Sequence, residues 1–208
     1  MGRKIVVTSG KGGVGKTTLT ASLGIAIAET GKKVVLVDAD IGLNNLDVVL
    51  AVENKVVYDV LDVISGKCRL KQALIQDVDN PTLYVLPSAK IQDSPLITAC
   101  SFRNVVDALA LNFDFVIIDC PAGIDNGFHR AVSAATEAIV VTTPHISAVR
   151  DADKVLSILS GYCLMSVGLV VNRVRGDMVS KGEMMSAGDI VRAVRCEPVG
   201  VIPEDDYI

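Results

Sequence analysis

A chain of 208 residues and 21.9 kDa, half of it hydrophobic and 21% charged, buries about 70% of its unfolded surface on folding, which excludes disorder of the whole. A formal net charge of −4 and basic runs no longer than two residues argue against a nucleic-acid arm, so DNA is not an expected partner. Five widely spaced cysteines with no Cys-x-x-Cys exclude a disulfide framework and lead one to expect buried thiols in a reducing cytoplasm.

In chain order, short apolar and β-branched runs predict strands over Lys4–Thr8, Lys33–Asp38, Leu83–Pro87, Phe113–Asp119, Ala138–Thr142, Val167–Asn172 and Val199–Ile202. Between them, helical patterning covers Lys16–Thr30, Phe102–Asn112, Asn126–Thr136, Ile146–Ser160 and Ser186–Arg195. Residues Val48–Leu74 read as an insertion of about two short helices. Alternation of strand and helix predicts an α/β, doubly wound and mainly parallel sheet of about seven strands, with helices on both faces. No linker or repeat divides the chain, so 1–208 are expected to be one domain. There is no signal-peptide core, and no apolar run approaches the roughly 20 residues of a membrane span.

The chemistry gathers behind the first strand. Gly10-Lys11-Gly12-Gly13-Val14-Gly15-Lys16-Thr17 matches the phosphate-loop pattern G-x-x-x-x-G-K-[ST] between a strand and a helix. Its glycines let successive N–H groups turn inward, and the helix N-terminus adds partial positive charge. Lys16 is expected to reach the β- and γ-phosphates of a bound nucleotide and Thr17 to coordinate Mg²⁺. Asp119 ends the apolar run Phe115–Ile118, and a strand-end carboxylate beside a phosphate loop is what a Mg²⁺ shell needs. The same glycines also satisfy G-x-G-x-x-G with Asp38 downstream, so a nicotinamide-dependent oxidoreductase is a second reading; the Lys16-Thr17 pair and Asp119 weigh against it. Lys11 is an extra lysine at the outer edge of the loop, placed to reach a neighbouring phosphate.

Lys11 to Thr18 forms a deviant Walker A box. With Val37-Asp38-Ala39-Asp40-Ile41-Gly42-Leu43, Asn45-Leu46-Asp47, Asp119-Cys120-Pro121-Ala122-Gly123-Ile124, Val149-Arg150-Asp151-Ala152-Asp153 and Gly200-Val201-Ile202-Pro203-Glu204-Asp205, the chain resembles the ParA/MinD family of P-loop ATPases, and within it the septum site-determining MinD branch. The resemblance implies an ATP- and Mg²⁺-dependent homodimer that places the division site and hydrolyses ATP, with Lys11 of each subunit on the phosphates of the other. It assigns catalysis to Lys11, Lys16 and Asp40, and the metal shell to Thr17, Asp38 and Asp119. Nucleotide contacts fall to Gly10 through Thr18, with Asn172, Arg173, Pro203 and Glu204 around the base. It implies a MinC-like inhibitor and, in some bacteria, a MinE-like activator, with Asn45 and Asp153 on that surface. Asn44 and His145 depart from the residues usual there, which bears on partner affinity. The family continues past Pro203-Glu204-Asp205 into a further strand, a helix and a basic amphipathic membrane-binding tail, whereas this chain stops at Ile208 with acids before it. Peripheral association with the inner membrane is therefore expected of the family and unsupported by these residues. A DNA-partition or flagellar-number relative, and a nucleotide-holding module without turnover, stand as alternatives.

Overall fold

The computed structural model describes residues 1–42, 45–89 and 94–205. Leu43 and Asn44, named above, lie outside the described residues. Eight strands form one sheet in the order β3-β4-β2-β5-β1-β6-β7-β8. These are β1 Arg3–Thr8, β2 Val34–Asp38, β3 Ile75–Gln76, β4 Leu83–Leu86, β5 Phe115–Asp119, β6 Glu137–Thr142, β7 Ser166–Val174 and β8 Glu197–Pro203. All pairings are parallel except the two-residue β3, which runs antiparallel to β4. The seven expected strands are present, and β3 is the eighth; two residues carry too little periodicity to announce a strand.

The larger helices are α1 Lys16–Glu29, α5 Ala99–Ala110, α6 Asn126–Ala134, α7 Ile146–Leu159 and α9 Ala187–Val194. The insertion contains three short helices, α2 Leu46–Val49, α3 Val60–Ile64 and α4 Leu70–Ala73, with a 3₁₀ turn at Glu53–Lys55. One more short helix, α8 Gly176–Ser180, follows β7. Asp59 caps α3 by accepting from the backbone of Leu61 and Asp62, which lets so short a helix form at a defined residue.

Period-two alternation on buried strands sends side chains to two apolar layers. Val6, Val35, Val37, Val116 and Ile118 join α5, α6, α7 and α9 in one, while Val7, Val34, Leu36, Ile117 and Val141 join α1 and Leu46 in the other. Phe102 of α5 and Phe128 of α6 are wholly buried. The sheet is thus held rigid from both sides, and its strand C-termini present loops at one edge, where strand order reverses around β1. The thiol expectation needs correction: Cys120 alone is buried, Cys68 and Cys196 are half-buried, and Cys100 and Cys163 are exposed. None of the last four sits on a strand facing either layer, so burial of small thiols was not enforced there. Among the described residues no helix is long and apolar enough to cross a membrane.

Candidate functional site

The loop between β1 and α1 occupies the reversal point. Gly13 and Gly15 take φ of 78° and 93°, conformations that cost an L side chain steric strain, and Gly15 is the residue from which α1 starts. At Gly10 a Cβ would meet the Asp151 carbonyl of α7 at 2.5 Å, so the missing side chain lets α7 pack on the loop. Val14 and Lys16 are buried, while Lys11, Gly12, Gly13 and Thr18 are exposed. Lys11 Nζ lies 3.3 Å from Ser147 Oγ on α7.

Asp38 and Asp119 are register partners at the ends of β2 and β5, and both are 1% exposed. Thr17 Oγ1 donates to Asp119 Oδ2 at 2.7 Å and Thr20 Oγ1 to Asp119 Oδ1 at 3.1 Å. The Asp40 and Leu46 amides donate to Asp38 at 2.9 and 3.2 Å. Burial raises the Asp38 carboxyl to about 7; these two backbone N–H groups resist it, and the charges of Asp119 and Asp40 add to it. Burial also raises Asp119, against the Thr17 hydrogen bond and the charge of Lys16. Asp40 is raised by burial and pulled back by Lys16. Three carboxylates and one lysine therefore share a small, poorly hydrated volume. Among the described residues no cluster of three or more His, Cys, Asp or Glu could hold a metal ion by itself. The donors present are all oxygen, the kind Mg²⁺ takes, and Mg²⁺ usually completes its shell with phosphate oxygens and water.

On the other side of the loop, β7 carries an irregularity between Val171 and Val174. Arg173 there has φ of 59°, and this bulge re-aims the preceding residue. Asn172 Nδ2 donates to the Val14 carbonyl at 2.9 Å. Asn172 and Arg173 thus lie within β7, not at its end, and Pro203 is the last residue of β8, opposite Val174. A cavity of about 280 Å³ is lined by Gly12, Gly13, Val14, Arg173, Glu204 and others, including Lys11 and His145. Asn45 precedes α2 and Asp153 lies on α7; both are exposed, and among the described residues neither side chain hydrogen-bonds to the phosphate loop. The loop residues, the three acids and the β7–β8 residues are brought together at one edge, while Asn45 and Asp153 are not.

Sequence reasoning passed over Thr20, whose place one helical turn after Thr17 was the available signal, and Ser88, whose hydroxyl donates to the Asp40 carbonyl at 3.0 Å, for which there was none.

A glycine-rich loop at the reversal point of a parallel sheet, leading into a helix with a buried lysine and a Thr–Asp hydrogen bond, defines a P-loop nucleoside-triphosphatase. Residues 2–161 match a family model described as an AAA domain. The chain is 49% identical over its whole length to the septum site-determining protein MinD of Synechocystis, covering 78% of that protein. It is 48% identical, over all of its length and 78% of the relative, to MinD of Bacillus subtilis. Of solved structures, the MinD cell division protein of Aquifex aeolicus superposes with a TM-score of 0.89 at 42% identity, over 99% of this chain and 84% of the other. The MinD of Pyrococcus horikoshii complexed with Mg-ADP superposes with a TM-score of 0.87 at 34% identity, over 100% and 84%. This chain belongs to the MinD family of septum site-determining proteins.

Proposed function

We propose that residues 1–208 act as one P-loop domain that binds ATP with Mg²⁺, dimerises on it, hydrolyses it and so governs division-site placement. The observation that carries this reading is the Thr17–Asp119 hydrogen bond of 2.7 Å beside the buried Lys16, a phosphate and metal cradle assembled before any ligand arrives. Support comes from relatives: a MinD solved with Mg-ADP and an Aquifex aeolicus structure of a MinC:MinD cell division protein complex, with which the chain shares 43% identity and a TM-score of 0.90 over 99% of its length and 83% of that chain.

In this reading the inward N–H groups of Gly12 to Thr17 hold the phosphates, and Lys16 neutralises charge on the transferred phosphoryl. Mg²⁺, when bound by Thr17 with Asp38 and Asp119 behind it, supplies electrostatic stabilisation of the β- and γ-oxygens. Asp40 orients the attacking water or accepts its proton. Asn172, Arg173, Pro203 and Glu204 flank the base. Lys11 has one hydrogen bond, to Ser147, and can exchange it for a phosphate of a second copy. Next to Ser147, Ile146 is 65% exposed, apolar area that association would cover. Asn45 and Asp153 lie on the surface assigned to a MinC-like inhibitor and, where one exists, a MinE-like activator. Membrane association belongs to the family reading and draws no support from the described helices.

The test is molecular mass by light scattering on Asp40→Ala, which should bind ATP without turnover. A dimer with Mg·ATP and a monomer with Mg·ADP is the expected result. A monomer under both conditions, with ATP binding established, overturns the dimer switch.

A further inference from the structure

A cleft of about 1060 Å³ lies not over the phosphate loop but beside it. One wall is Asp40, another is Pro121 and Ile124 after β5, and the third is the start of α6 with Asn126, Gly127 and Arg130. Arg130 is unusual for this chain. Its Nε is sealed from solvent and has no hydrogen-bond partner among the described residues. Burial lowers its pKa, and only the Cys120 thiol acts against that. A half-buried guanidinium without an anion is costly, because desolvation is not repaid by pairing. Gly127 lets the start of α6 pack against Pro121: a Cβ there would stand 2.8 Å from Pro121 Cγ, with Arg130 Nη2 at an ordinary 3.6 Å. The nine-residue helix α6 also begins open-handed, since Asp125 at its N-cap makes no side-chain cap hydrogen bond. First-turn N–H groups and an unpaired arginine therefore face the same space, both of them donors suited to an oxyanion.

We propose that this cleft is the exit path of inorganic phosphate, with Arg130 and the first turn of α6 as its transient binding point. The proposal rests on the ATPase reading above. Asp40 stands at the inner wall, so the cleft opens where the cleaved phosphate would be released. The loop side is then blocked by the nucleoside diphosphate and, in the dimer, by the second copy. Asp40 and Asp125 on the walls repel a dianion, so the single guanidinium holds it weakly enough to let it go.

The experiment uses the whole chain loaded with Mg·ADP, titrated calorimetrically with sodium phosphate at constant ionic strength, for wild type, Arg130→Gln and Arg130→Lys. Phosphate binding should weaken about tenfold in Arg130→Gln and recover in part in Arg130→Lys. Inhibition of turnover by added phosphate should weaken by the same factor, while affinity for a fluorescent ATP analogue stays within about twofold. Equal phosphate affinity in wild type and Arg130→Gln overturns the exit path. So does loss of ATP-analogue affinity, or of the ATP-dependent dimer, at unchanged phosphate affinity, since either would make Arg130 a structural or interface residue. Absence of turnover in wild type would instead sink the ATPase reading, and the calorimetric comparison would still judge the cleft.

Discussion

The two sides of the phosphate loop are built differently. On the α1–β5–β2 side, Asp38 and Asp119 are buried and held by four hydrogen bonds from Thr17, Thr20, Asp40 and Leu46. On the β7–β8 side, Arg173, Pro203 and Glu204 are exposed, and a hydrogen bond from Asn172 to the Val14 carbonyl ties that side to the loop. Oriented dipoles in a poorly hydrated site stabilise charge with little reorganisation. In the proposed reading, the open, polar wall needs only to shelter a flat base. The lesson is that order is concentrated where charge develops, and that substitutions should fall in severity from one side to the other.

The steepest loss is expected for Lys16→Ala, which removes the one buried cation from a site with three carboxylates. Turnover, measured as phosphate release under saturating Mg·ATP, should fall about 100-fold or more. A loss under about fivefold would put the charge-stabilising role elsewhere and erase the contrast.

A second break concerns pH. In the folded, nucleotide-free chain Asp38 keeps its proton up to about pH 7, whereas the ordinary value is 3.8. Between these values the folded state binds more protons than the unfolded one, so stability falls as pH rises through the window. In EDTA, Tm should drop from pH 5 to pH 8, and Asp38→Asn should reduce that drop by roughly 5 °C. Parallel curves for both proteins would count against a proton stored at Asp38.

The mildest change is predicted on the open side. Asn172→Ala deletes one hydrogen bond to a loop carbonyl and should cost about 1 kcal/mol, read as a Tm lower by roughly 2–4 °C. Glu204→Gln should leave both Tm and ATP affinity within experimental error, and a tenfold loss of affinity there would show that the open wall is as ordered as the other.

How far the sequence could be read follows the same divide. Gly10 to Thr17 and the strand-closing Asp38 and Asp119 were legible because their chemistry is local: a turn, a helix start and strand ends. The seven strands were legible for a related reason, since strands buried on both faces are written as continuous apolar runs. Three things were not. Asn172 and Arg173 looked like a strand end, because a bulge is set by pairing with a neighbour and leaves little local mark. The three short helices of the insertion are decided by tertiary packing, α2 against α1 and α3 against α4 and α5, and by the Asp59 cap, not by periodicity. Arg130 was invisible, since an arginine on a helix looks solvated until the fold shows its Nε sealed from water with no hydrogen-bond partner among the described residues.

The contact between Gly15 and Asn172 has one more consequence. A Cβ at Gly15 would sit 2.4 Å from Asn172 Nδ2, so the tip of the loop and β7 behave as interlocked parts of a clasp. A side chain at position 15 would therefore push Asn172 away from the Val14 carbonyl and unfasten β7 from the loop.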